Sequence, residues 1–252
     1  MPARLLVRKK MKLGEKITSF VKPPHPKGLS LLGDYVRLEP LSSDKHGKQL
    51  FEAYMEPGGA GNWDYLPYGP FDTKQVYYEW LHIIQSEPDP CFFAIIRVSD
   101  QRAVGVASYL RINPEDGTIE VGHINFSPSL QKTTEATEAM FLMMNWAFEA
   151  GYRRYEWKCN ALNIKSRKAA QRLGLSYEGV FRQATISKGR NRDTAWFAAI
   201  DKEWPGLKAR FERYLSSKDL KNGGVPEVSL TSVNKPFLYK EDNYELSQPK
   251  IF

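Results

Sequence analysis

The sequence predicts an α+β fold with one mixed, mostly antiparallel sheet, and three observations carry that prediction. The 252-residue chain orders its periodic segments as strand, two helices, three strands, helix, strand, helix and two strands. Apolar runs from Cys91 to Val98, Ala103 to Ile112 and Thr118 to Phe126 form a meander, broken by Ser99-Asp100-Gln101 and by Asn113 to Gly117. A helical pattern then separates Ile124-Asn125-Phe126 from a strand at Arg154 to Cys159. Those two strands are expected to run parallel and to splay apart, leaving a cleft at the helix that starts near Thr134.

Each element has its own local signal. Tyr35 to Leu41 alternates in and out as a first strand, and Ser42-Ser43-Asp44 caps a helix through about Tyr54. Gly58 to Phe71 is rich in chain breakers and aromatic rings, so it reads as an ordered loop. Asp72 or Thr73 caps a second helix with Val76, Trp80, Leu81 and Ile84 inward. Met140, Leu142, Met143, Trp146 and Phe148 mark the central helix. A basic helix ends at Leu173-Gly174-Leu175, where the glycine supplies a left-handed stop. Phe181 to Ser187 and Thr194 to Ile200 close a hairpin, and Trp204 to Leu215 is an amphipathic helix. Three regions follow: a basic arm and linker over 1–30, a folded domain over 31–215, and an extension over 216–252. The extension's Phe237, Tyr239, Tyr244 and Phe252 suit packing on the domain or on a second subunit.

Composition excludes several classes. No apolar run approaches the ~20 residues of a membrane span. Two cysteines and four histidines, all dispersed, make neither a disulfide framework nor a metal site, so reduced buried thiols in a cytoplasmic protein are expected. The net charge of +7 sits in residues 1–30, with eight Lys/Arg against one acidic residue. Nucleic-acid binding is therefore not expected of the folded part. Within it, residues 51–120 hold four basic and eleven acidic residues, while 121–200 hold twelve and six. Such asymmetry bears on ligands more than on fold.

The chemistry concentrates between Ile124 and Arg182. N–H groups at a helix start carry roughly half a positive charge and bind phosphate. At Gln131-Lys132-Thr133-Thr134-Glu135-Ala136, small side chains let a pyrophosphate approach the backbone, although an ordinary helix cap reads the same residues. Asn163 and Ser166, three apart at the next helix start, are open to the same two readings. Lys165, Arg167, Lys168 and Arg172 can pair with nucleotide phosphates or form a solvated face.

These residues resemble the GNAT superfamily of acyl-CoA-dependent N-acetyltransferases. The order Gln131-x-x-Thr134-x-Ala136, Asn163-x-x-Ser166 and Leu173-Gly174-Leu175-x-x-Glu178-Gly179-x-x-Arg182 carries the resemblance, and its last run is similar to the RimJ/RimL-like branch. One departure stands out: the family's loop is Q/R-x-x-G-x-G/A, and Thr134 occupies the first glycine.

The resemblance implies acetyl-CoA as cofactor. Its pantetheine arm would pair with Ile124, Asn125 and Phe126, and its pyrophosphate would sit on Gln131 to Ala136. Asn163 and Ser166 would meet the thiol end or pantetheine, and Lys165 or Arg167 the adenosine phosphates. The implied reaction is direct attack of an amine on the thioester. Glu120 is the first candidate base and His123 the second, although simple alternation puts the two on opposite faces. Ser166 is the candidate proton donor to the thiolate. Trp63, Tyr65 and Tyr68 would line the acceptor side. The acidic half suggests a cationic acceptor, a small-molecule amine or a peptide amine, with Asp64, Asp72 and Glu120 as partners. Monomer and homodimer both stay open. Two other readings compete: a catalytically silent GNAT-fold module that binds acyl-CoA or a partner, and a protein that binds nucleic acid through the basic arm.

Overall fold

The computed structural model describes residues 13–217 and 228–244. The first twelve residues of the basic arm, and Phe252 of the extension, lie outside the described residues. Near-continuous apolar runs make β3 (Cys91–Arg97) and β4 (Ala103–Asn113) buried on both faces, so they occupy the middle of the sheet. Around them lie β1 (Leu31–Leu32), β2 (Val36–Pro40), β5 (Thr118–Phe126), β6 (Arg154–Asn160), β7 (Ser176–Ser187) and β8 (Arg190–Ile200). The eight strands run in the order β1-β2-β3-β4-β5-β6-β8-β7. Neighbours are antiparallel except β5 and β6, which pair in parallel over four positions, from Thr118 opposite Arg154 to Val121 opposite Trp157. Past that point the two strands have no common register, and the expected cleft opens between them.

Helices cover both faces. Tyr109, Ile119 and Val121 pack with α3 (Thr134–Glu149), α4 (Ile164–Arg172) and α5 (Trp204–Leu215) in one core cluster. On the other face, Phe92 and Val106 pack with α1 (Ser43–Tyr54), α2 (Lys74–Ile84) and the aromatic loop. Ser42 and Thr73 cap α1 and α2 by accepting from Lys45 N and Val76 N. One helical phase differs from expectation: Tyr77 points inward beside Leu81, and Val76 lies half exposed, because Phe51 and Tyr54 of α1 and Phe71 of the aromatic loop supply the surface that Tyr77 meets. Gly174 does stop α4 in the left-handed region at φ +87°, and a Cβ there would strike Leu207.

Buried Glu138 on α3 accepts from the N–H groups of Asp34, Tyr35 and Val36 at 2.9, 2.7 and 2.8 Å. This fixes the β1–β2 turn against the helix. Residues 13–30 lie along the domain, with Pro23 and Pro26 buried and the Tyr152 hydroxyl donating to Pro24 O. The extension also returns to the domain through the short helix α6 (Leu230–Asn234), where Asn234 joins Arg210 Nε to the Arg172 carbonyl. Among the described residues, no helix is long and apolar enough to cross a membrane.

Candidate active site

The site begins as an irregularity in β5. Between the pairs Ser108–Gly122 and Val106–Asn125 the strand gains one residue over β4, and His123 takes φ +50°. This is a β-bulge, and it resets the alternation of side chains. Glu120 and His123, expected on opposite faces, therefore line the same cleft. Arg111, at φ +47° beside a second irregularity in β4, joins them. Left-handed non-glycine residues are held only where surrounding contacts fix them.

One cavity of about 1700 Å³ runs from this bulge, between the splayed strands, to the start of α3 and on to the extension. Gly122 to Phe126 form one wall and Trp157 to Asn160 the other. Asn125 is 2% exposed, yet neither its Oδ1 nor its Nδ2 has a hydrogen-bond partner among the described residues. Native interiors rarely leave such a group unpaired, so an amide-bearing ligand fits here. The Phe126 carbonyl accepts from Asn62 Nδ2 at 2.7 Å and Gln131 Nε2 at 3.0 Å, which ties the aromatic loop to the segment before α3.

At the cleft's far end Lys132 is left-handed (φ +62°), and Thr133 caps α3 by accepting from Ala136 N at 3.1 Å. Thr134 is the first helical residue, so its conformation suits any side chain and the missing glycine costs no backbone strain. The first-turn N–H groups of a helix have no intrahelical partner and face a ligand readily. Gln131, Lys132, Thr133 and Ala136 line the cavity, whereas Thr134 and Glu135, expected there too, do not. Asn163 Oδ1 caps α4 on Ser166 N (3.1 Å), and Trp157 Nε1 donates to Ser166 Oγ at 2.9 Å. Both residues line the cleft.

Three sequence expectations need correction. Arg167 is 1% exposed, and its Nε and Nη2 donate to Asp242 at 2.6 Å each while Nη1 donates to Ala161 O. It faces α4's packed side, so it is closed to phosphate. Exposed Lys165 and Lys168, with Arg172, are the α4 cations that line the cleft. Trp63 is 3% exposed in the second core cluster, edge-on to Tyr54 and Phe71, and packs instead of touching substrate. Tyr65 does line the cleft, and Tyr68 reaches it through His123, stacked at 5.5 Å with its hydroxyl 3.1 Å from Nδ1. The third correction concerns charge. Asp72 does not line the cleft, and Glu120 is neutralised: Oε2 accepts from Arg111 Nη1 and Lys158 Nζ, both at 2.8 Å.

Burial pushes the Glu120 carboxyl above its ordinary range, and the Lys158 and Arg111 donors pull only part of that back. Burial pulls His123 down to about 4, helped by the nearby charges of Arg111 and Arg192. The imidazole is thus neutral at neutral pH. Cys159, beside Ser166, is pushed up to about 11 by burial and stays a thiol. No group of three or more His, Cys, Asp or Glu among the described residues could hold a metal.

Sequence reasoning passed over Arg111 and Arg192, and counted Lys158 among cations for phosphate without seeing its place on Glu120. Lys158 had a signal, because Arg154, Glu156 and Lys158 alternate with apolar residues along β6. The same reasoning expected the extension to pack on the domain or a second subunit but not to reach the site, and Thr231, Leu238, Asp242 and Tyr244 line the cavity.

A sheet split at its parallel pair, a bulge at the split and an anion-ready helix start below it form a cleft suited to an extended, phosphate-bearing ligand. The acetyltransferase (GNAT) domain family matches residues 36–176. A GCN5-related N-acetyltransferase from Brucella melitensis is similar at 39% identity and TM-score 0.82, over 85% of this chain and 98% of that one. A probable acetyltransferase (GNAT family) from Chromobacterium violaceum is similar at 37% identity and TM-score 0.72, over 78% and 98%. No curated protein matches. The chain belongs to the GNAT acetyltransferase family. That membership supports acetyl transfer and implies an acetyl-CoA site.

Proposed function

We propose that the protein transfers an acetyl group from acetyl-CoA directly to a primary amine within one ternary complex. The observation that carries this reading is the stretch of β5 past Val121, which has no partner in β6 and leads to an uncovered helix start. Acetyl-CoA, when bound, supplies the acetyl thioester: a C–N bond replaces C–S, the amine loses a proton and the sulfur gains one.

The chain's own residues do the rest. Ile124 and its neighbours offer backbone N–H and C=O to an extended amide chain, and Asn125 adds its unpaired carboxamide. Gln131 to Ala136 hold the diphosphate at the helix start, with Lys132, Lys165, Lys168 and Arg172 as counter-charges. Asn163 orients Ser166 at the thiol end. Ser166 Oγ already accepts from Trp157, so its own hydrogen is available to the departing sulfur. An amine near pKa ~10 arrives mostly protonated and needs a proton acceptor. Glu120 has that role, its raised pKa making it a better base than an ordinary surface carboxylate. His123 is the second choice because its weakly basic ring is already bonded to Tyr68.

Placement in the RimJ/RimL-like branch rests on the Leu173 to Arg182 run. The RimL ribosomal L7/L12 α-N-protein acetyltransferase shares the fold alone, at 19% identity and TM-score 0.58.

The test is free CoA release over a panel of amines, for wild type and Glu120→Gln, across pH. Wild type should release CoA only when an amine is present, with a rate that falls as pH drops through the raised Glu120 pKa. Glu120→Gln should lose about 100-fold or more and flatten that limb. An unchanged profile would remove Glu120 as the base. Stabilisation by acetyl-CoA with no release for any amine would replace this reading with the silent binding module.

A further inference from the structure

The acceptor end of the cleft holds one cation, Arg192, that has no ion-pair partner among the described residues. On the sheet face beside the bulge, Glu120 takes Arg111 and Lys158. Lys158 also takes Glu156 at 2.7 Å, and Arg154 holds Glu156 and Glu178. Three carboxylates thus face three cations in one closed ladder. Arg192 stands outside it. Alternation along β8 puts Arg192, Thr194 and Trp196 on the cavity side, with Lys158 Nζ 3.9 Å from the Trp196 ring centroid. Arg192 is close enough to Arg111 and Glu120 to feel both charges. Its Nε is buried without a hydrogen-bond partner, and it forms no ion pair among the described residues. Neighbouring Asp193 spends its carboxylate on Gln183 N and Asn191 Nδ2. The other acidic group lining this end, Asp64, is exposed at the rim, where solvent screens it.

We propose that Arg192 is the anion-binding group of the acceptor subsite, and that the amine substrate carries a carboxylate or phosphate group near its reacting nitrogen. This rests on the acetyl-transfer reading. A partly buried guanidinium whose Nε lacks a partner gains from an anion, and its planar fork matches a carboxylate or phosphate in two parallel hydrogen bonds. With the anion on Arg192, on the β6–β8 side of the cleft, the nitrogen of such a molecule can reach across to Glu120 and His123 on β5. A purely cationic acceptor finds no free carboxylate deep in the site.

The experiment uses matched pairs with acetyl-CoA: L-amino acids against their amides, and O-phosphoethanolamine against ethanolamine. The anionic member of at least one pair should be preferred by about ten- to hundredfold in kcat/KM, the range of one charge-assisted contact. The pair that shows it tells carboxylate from phosphate. Arg192→Gln should bring the ratio close to one, and Arg192→Lys should keep part of it. Calorimetric binding of N-acetylamino acids and their amides to the protein with CoA reads the same preference without turnover. Equal efficiency or equal binding within all pairs, or a preference that survives in Arg192→Gln, would overturn the proposal. A binding preference without turnover would keep the anion site while rejecting acetyl transfer.

Discussion

Replacing Asp242 by alanine removes both oxygens that accept from Arg167 at 2.6 Å, and leaves that guanidinium buried with only the Ala161 carbonyl. Tyr244 N also loses its bond to Asp242 Oδ1. Breaking a buried pair from one side costs about 3–5 kcal/mol, because the remaining charge is desolvated and unanswered. For a chain of this size each kcal/mol lowers Tm by about 2–4 °C, so a fall of roughly 6–20 °C is expected by calorimetry. The KM for acetyl-CoA should rise as well, since Asp242 and Tyr244 line the cavity. The double variant Arg167→Met with Asp242→Leu should recover most of the stability, because an apolar pair of similar volume carries no stranded charge. A Tm within 2 °C of wild type for Asp242→Ala, with unchanged protease resistance of residues 228–244, would refute the reasoning. So would a double variant as unstable as the single one.

Two further outcomes follow from unpaired or shifted groups. Asn125→Leu removes two buried polar atoms that lack partners, so thermal stability should hold or rise while the KM for acetyl-CoA climbs about fivefold, one lost hydrogen bond. Lower stability with an unchanged KM would show that Asn125 serves the fold and not the cofactor. His123 should titrate near pH 4 by NMR, below the ordinary histidine range. Its folded pKa lies below its unfolded one, so its contribution to stability is full above about pH 6.5 and drains as pH falls toward 4, at up to ~1.4 kcal/mol per pH unit. A midpoint near 6.5 would place the ring in solvent.

The fold was legible where periodicity speaks for itself. Alternation and apolar runs reported β2 to β6, and caps at Ser42, Thr73, Thr133 and Asn163 marked helix starts that the structure keeps. The site was less legible because bulges are not written in composition. In Glu120-Val121-Gly122-His123 the one hint of the extra residue that turns His123 toward Glu120 is Gly122, since a glycine inside a strand can mark a bulge. Arg167 misled for another reason: in a helix rich in cations, sequence does not tell the one that finds a buried carboxylate 75 residues away from those that face solvent. Trp63 looked like a ligand-facing ring because aromatic loops and aromatic cores share a composition. The acidic and basic halves are real in sequence. Lys158 and Glu120 join the two halves across β5 and β6, while most of the other ion pairs lie within one half, and sequence does not show which cation is left over.

The four-position seam between β5 and β6 has one more consequence. A sheet normally offers its unsatisfied amides at its outer rims, but this one carries a second pair of edges inside, at its centre. What fills that gap is read mainly through backbone spacing, since strand addition asks for little beyond an extended run of amides. The groove thereby welcomes any slender molecule with amides at strand spacing. Competitive inhibitors need not contain a nucleotide: an extended diamide long enough to bridge the two inner edges meets the same geometry.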